Sequence, residues 1–437
     1  MFFRPRASVK PAPIVHHPRR AIAKRAAALR ASGKGALATF LAILGPGLLA
    51  GLSDDDPAGI TTYSVLGTEH GYRLLWIIPA SVVLLIQFQL IAVRLGACTG
   101  KGLITLVRER WGRTAGYVAL VGLLIANFGT ICAEYAGVSA AGSLIGWPSW
   151  VSAPIAGLLI ALVVVLGSFR RIEHVLLLIS STLALYVIDG ILAKPEWSAV
   201  VHGSLVPLLP TSRAGWLAIA AALGTTLAPW GLAFIQSYAV DKKITVRDIP
   251  LERWDVLIGA LLTGIIGLSV AVACAATLYR HGLHIETAGD AAIALRPLAG
   301  RGATLLFGVG LLGASLLAAA VVPIATSYSI AEAASVPASL DLDSRHFQWF
   351  YAAFVVLTVA AVSIVAVPGL PLIPLIVGSQ VLNAVLLPFH LIVLLVLGRS
   401  RSLLGDLRLN TRTVVAGWGS VVLVLACVVT MLVQGAR

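Results

Sequence analysis

Apolar runs of about twenty residues recur from residue 37 to residue 433, and they leave few folds open to this chain. A helix of that length crosses the ~30 Å hydrocarbon core of a bilayer. The 58% hydrophobic and 12% charged content and a mean hydropathy of +0.94 exclude an ordinary soluble domain. The runs are continuous and do not alternate, which excludes a membrane β-barrel. The reading is an all-α integral membrane protein of 11 transmembrane helices. They are expected at 37–66, 74–98, 116–145, 150–167, 172–193, 215–240, 254–279, 303–334, 347–367, 372–397 and 414–433.

Two spans are interrupted. Residues 53–63 read Ser-Asp-Asp-Asp-Pro-Ala-Gly-Ile-Thr-Thr-Tyr, inside the first apolar run. A charge at mid-bilayer costs roughly 2.5–3.5 kcal/mol on insertion scales, so acids there imply a use. Pro57 lacks a backbone donor and Gly59 tolerates unusual dihedrals, so a helix break is expected. The sixth span is broken in the same way by Ala228-Pro229-Trp230-Gly231. Two halves of five spans, each opening on a broken helix, give a five-plus-five inverted repeat of the LeuT/APC kind plus one extra helix. A site for a cation follows, near the midplane between the two breaks, where freed carbonyls and half-helix ends meet.

The net charge of +13 could suggest nucleic acid, but its placement does not. With the N-terminus in the cytoplasm, 25 of the 32 Lys/Arg fall on cytoplasmic segments. That is the positive-inside pattern, and it puts the C-terminus outside the cytoplasmic membrane. Residues 1–35 read as a basic, proline-containing, disordered tail, 36–193 and 214–397 as the two repeats, 194–213 as an external connection, and 398–437 as a loop and the last helix. Cys98, Cys132, Cys274 and Cys427 form no Cys-x-x-Cys pair, so neither zinc nor a disulfide framework is indicated. No enzyme motif appears. His281, His284 and Glu286 have a metal-compatible spacing, although a loop coincidence is the preferred reading.

Asp56-Pro57-Ala58-Gly59 followed by residues 71–76, Gly-Tyr-Arg-Leu-Leu-Trp, resembles the first-span signature of the natural resistance-associated macrophage protein (Nramp) metal transporters. So do Gly224-Thr225-Thr226-Leu227-Ala228-Pro229-Trp230, Ser379-Gln380-Val381-Leu382 with Pro388-Phe389, Glu134 in the third span, and 193–197, Ala-Lys-Pro-Glu-Trp. The resemblance covers nearly all of the chain after the tail. It implies a metal site built on Asp56, with Glu134, Gln380, Asn383, Gln236 and Asp55 as further candidates. The positions of Ser53, Gly59 and Ala228 complete that set, Ser53 and Ala228 through backbone carbonyls.

Departures from the family pattern carry the specificity argument. The family's metal-binding asparagine is Gly59 here, and its methionine is Ala228. Thioether sulfur favours transition metals, whereas Mg²⁺ takes oxygen ligands and keeps several waters. A wider, sulfur-free site is similar to the magnesium-transporting branch of the superfamily, which also carries Ala-Pro-Trp and Gln236-Ser237 ahead of Asp241-Lys242. The family's third-span aspartate and sixth-span histidine are Ile131 and Trp230, which argues against proton coupling. The expected function is uptake of Mg²⁺ and Mn²⁺ as substrates by a monomeric carrier, with the lipid bilayer as its surroundings and with no cofactor. The alternatives are a proton-coupled Mn²⁺/Fe²⁺ importer, using His390 or Asp189, and an amino-acid transporter of the same fold. The acids at 54–56 would repel the carboxylate of an amino acid.

Overall fold

The computed structural model describes residues 56–165, 185–293, 300–336 and 348–435. Over these residues it is helical and without strands. Ser53, Asp54 and Asp55, the basic tail, and most of the expected fifth span lie outside the described residues.

The first half contributes α1 (Pro57–His70), α2 (Ile77–Thr99), α3 (Leu103–Trp111), α4 (Arg113–Ser143), α5 (Ser149–Val165), α6 (Leu185–Leu192) and α7 (Trp197–Leu205). The second contributes α8 (Arg213–Thr226), α9 (Pro229–Asp241), α10 (Ile249–Thr277), α11 (Ala288–Ile293), α12 (Ala303–Ala334), α13 (Gln348–Val365) and α14 (Leu372–Gly398). The chain closes with α15 (Arg401–Leu404) and α16 (Thr411–Gly435). Among the described residues, seven helices are long and apolar enough to cross a membrane. The spans expected from 74 onward recur with ends displaced by up to five residues, except the fifth, of which only α6 is described. Helices α3 and α7 fall in stretches that the sequence presents as connections.

At both expected breaks a proline starts a helix. Pro57 opens α1 and Pro229 opens α9, positions where the missing N–H is one of the helix's unsatisfied donors in any case. Between α8 and α9, Leu227 and Ala228 leave helical geometry. Pro229 cannot donate to the Thr225 carbonyl, and the Gly231 N–H turns to the Ala228 carbonyl at 3.0 Å, away from Leu227. The broken span Arg213–Asp241 is the most enclosed, with 94% of its apolar window buried, so it runs through the protein interior rather than along lipid.

Small residues bring α1, α8, α10 and α14 close. A side chain on Gly67 would overlap the Ala271 carbonyl, and one on Gly224 would overlap the Gln380 carbonyl. Helices α1 and α8 are joined by a 2.7 Å hydrogen bond between the Tyr63 and Thr226 hydroxyls. In lipid, where burial alone does not draw helices together, such close packing and buried hydrogen bonds hold the bundle.

Candidate metal centre

Asp56 stands at the start of α1 with an extended backbone, and its Oδ1 accepts the Gly59 N–H at 2.6 Å. It is therefore the helix cap, and the helix dipole there stabilises its negative charge. Its carboxylate faces that of Glu134 on α4 within interaction range. Both side chains are buried, and neither Glu134 oxygen receives a hydrogen bond. Two facing carboxylates out of water need a cation or a shared proton between them. Gly137, one turn beyond Glu134, lets α4 approach Pro57 closely enough to make this pair.

A second polar group lies between α4 and α14. Asn383 Nδ2 donates to the Thr130 hydroxyl at 2.9 Å and to Gln380 Oε1 at 3.0 Å, while Gln380 Nε2 donates to the Ser379 hydroxyl at 2.7 Å. The amide of Gln380 is thus held by its own helix, and Asn383 Oδ1 is left buried without a donor. Gly129 and Gly224 bring α4 and α8 against this part of α14. Further along α4, Asn127 Nδ2 donates to the Thr326 hydroxyl at 2.8 Å and leaves Oδ1 unpaired.

The wall around the breaks is apolar. Ala58, Ile131, Ala228 and Trp230 belong to one buried cluster. The carbonyl of Ala228 accepts the Gly231 N–H at 3.0 Å and, weakly, the Leu232 N–H at 3.4 Å. The Gly59 position contributes a backbone N–H and no side-chain ligand.

Gln236, a candidate ligand in the sequence, lies further along α9. Two helical turns of α9 carry it away from Ala228, and its Nε2 donates to the Lys101 carbonyl at 2.9 Å. The spacing between His281, His284 and Glu286 makes no metal group. His281 turns back to the Thr277 carbonyl, His284 pairs with Glu69 at 2.8 Å, and the Glu286 N–H donates to Asp290. His390 Nδ1 lies 3.1 Å from its own helix's Leu386 carbonyl, with Phe389 edge-on, which suits a packing histidine. Asp189 is fully buried near Cys274. Among the described residues no three His, Cys, Asp or Glu side chains gather that could hold a metal ion.

Glu332 was not singled out by sequence. Buried near the end of α12, it accepts the Ser237 hydroxyl of α9 at 2.5 Å and the Ile104 N–H of α3 at 3.0 Å. Arg108 of α3 donates to the Ala333 carbonyl at 2.9 Å, and the Tyr328 hydroxyl reaches Asp241 at 3.2 Å. These bonds tie three helices at the Lys101 end of α9, away from the break. Glu332 is the one acid in an apolar run, which is the signal that identifies such a residue.

The broken span Arg213–Asp241 and the buried acidic pair at the start of α1 fit a membrane protein of the transporter type. Residues 47–434 match the family described as natural resistance-associated macrophage protein-like, and the chain belongs to that Nramp family. It is 28% identical over 412 residues to the divalent metal cation transporter MntH of Chromohalobacter salexigens, covering 91% of this chain and 92% of that one. The MntH of Deinococcus radiodurans is also 28% identical, over 421 residues and 92% of each chain. The crystal structure of the Eremococcus coleocola manganese transporter with an aromatic bis-isothiourea compound superposes with a TM-score of 0.74 at 23% identity, over 92% of this chain and 88% of that one. That likeness establishes the fold.

Proposed function

We propose that the protein is a divalent metal cation transporter that moves Mg²⁺ and Mn²⁺ across the cytoplasmic membrane without moving protons. The observation that carries this reading is the buried Asp56–Glu134 pair at a helix break, beside positions 59 and 228 that offer neither amide nor sulfur. The MntH relatives support the divalent class. Oxygen-only coordination with room for retained water favours Mg²⁺ as well as Mn²⁺. Asp55 and the Ser53 carbonyl belong to the proposed ligand set with Asp56, Ala228, Gln380 and Asn383.

Absence of proton coupling rests on Ile131 and Trp230. Both are packed in the apolar cluster, so no titratable group flanks the pair at either position. The membrane potential suffices as a drive: about 2.3 kcal/mol per charge per 100 mV, and twice that for a divalent ion.

Flux of Mg²⁺ and Mn²⁺ into proteoliposomes containing a pH dye tests the reading. Entry of both ions with no metal-linked acidification is expected. Entry of Mn²⁺ alone, accompanied by acidification, would replace this reading with the proton-coupled one.

A further inference from the structure

A cavity of about 460 Å³ opens where the last turn of α3, the end of α14, α15 and the first half of α16 meet. Arg110, Arg399 and Arg401 line it together with Ser400 and Ser402, and among the described residues no Asp or Glu does. The rest of its wall is apolar, formed by Leu395 and Val396 of α14 and Trp418 of α16. Val396 and Trp418 are 40% and 42% exposed, so this wall is open to the bilayer.

A helix C-terminus attracts cations, and that accounts for Arg399 at the end of α14. The same holds for Arg110 in the last turn of α3, but it does not account for three arginines from three elements lining one space. Three like charges around one cavity repel each other unless an anion sits among them. The apolar wall continues along two membrane-spanning helices, so the complementary occupant is amphipathic, with an anionic head at the arginines and a chain lying against Val396 and Trp418. Basic pockets between membrane helices on the cytoplasmic side bind anionic headgroups in this way, and tryptophan prefers that depth. A free phosphate would satisfy the arginines and leave the apolar wall uncovered.

We infer that this cavity is a binding site for one anionic phospholipid of the leaflet next to the α14–α16 connection. The site is separate from the acidic pair between the breaks, and its occupancy does not depend on which metal is carried.

Native mass spectrometry of the full chain in detergent, titrated with phosphatidylglycerol and separately with phosphatidylcholine, tests this. Wild-type protein should retain one phosphatidylglycerol in clear preference to phosphatidylcholine. Replacing all three arginines by glutamine should weaken that binding by up to about a hundredfold, with each basic residue near a membrane surface contributing about tenfold or less. Replacing them by lysine should keep most of the binding, and glutamine at Arg247 and Arg253 should change nothing. An unchanged lipid preference in the triple glutamine variant would overturn the inference. So would displacement of the lipid by equimolar inorganic phosphate, because that would make the site one for the free anion.

Discussion

The carboxylate of Glu332 occupies the space into which a side chain on Gly102 would project. Far apart in the chain, the two meet because the N-terminus of α3 presents the Ile104 N–H to a buried acid. A glycine at the N-cap of α3 leaves its first donors without a side-chain partner, and a carboxylate from α12 fills that role. Gly102→Ala should therefore cost about 1–3 kcal/mol through overpacking. Glu332→Ala should cost a similar amount by stripping an acceptor from Ile104 and Ser237. In the double variant the costs should fall well short of additive, measured by thermal unfolding in detergent, because the alanine at 102 then has room.

Asp56 serves as both helix cap and carboxylate, and the two roles can be separated. Asn is as good a cap as Asp, so Asp56→Asn should leave thermal stability within about 0.5 kcal/mol and reduce Mg²⁺ and Mn²⁺ flux more than tenfold. Asp56→Ala should lose about 1 kcal/mol of stability in addition. Glu134→Gln should likewise depress flux with little effect on folding.

Restoring sulfur at the second break tests the origin of metal preference. Ala228→Met places a flexible thioether among Ala58, Ile131 and Trp230. Competition flux should show Mn²⁺ gaining on Mg²⁺ by about tenfold, since a soft donor favours the transition metal. An unchanged ratio would move the source of selectivity elsewhere.

The His284–Glu69 pair supplies a pH dependence outside the membrane spans. Its hydrogen bond to Glu69, reinforced by that carboxylate's charge, raises the pKa of His284 above its usual 6.5. A group whose pKa is raised by folding stabilises fully below its unfolded value and loses that contribution as pH rises through the folded one. Hydrogen exchange in the 279–284 segment should therefore accelerate, beyond its intrinsic pH dependence, as pH rises through that value. His284→Gln should abolish the excess. The pair is exposed, so the effect will be small and screened by salt.

The break at Pro229 and the helix start at Pro57 were legible in the sequence because proline and glycine act locally, whatever surrounds them. Pro57 and Pro229 begin helices for reasons contained in their own backbones. The acids at 54–56 stood out because a carboxylate inside an apolar run is too costly to keep without a use, and the family likeness singled out Asp56 among them. Its partner Glu134 came through the family likeness. The position of Gln236 was not legible, because likeness in sequence carries no distance; it sits two turns of α9 beyond Ala228 with its amide on the Lys101 carbonyl. Glu332 was passed over because its importance comes from Gly102 and Ser237, neither of which is near it in the chain. The same holds for α3, whose basic residues suggested a connection while its buried face, including Leu103, Leu106 and Val107, packs into the core.

The contact between Gly224 and Gln380 also limits how the bundle can move. With the α14 backbone carbonyl seated against a residue that has no Cβ, α8 cannot slip along α14 by one residue, because Thr225 or Leu223 would then meet that carbonyl. Gly67 against Ala271 fixes α1 on α10 in the same way. These touching backbones work as pivots: α1 and α8 can tilt about them but cannot slide along their neighbours.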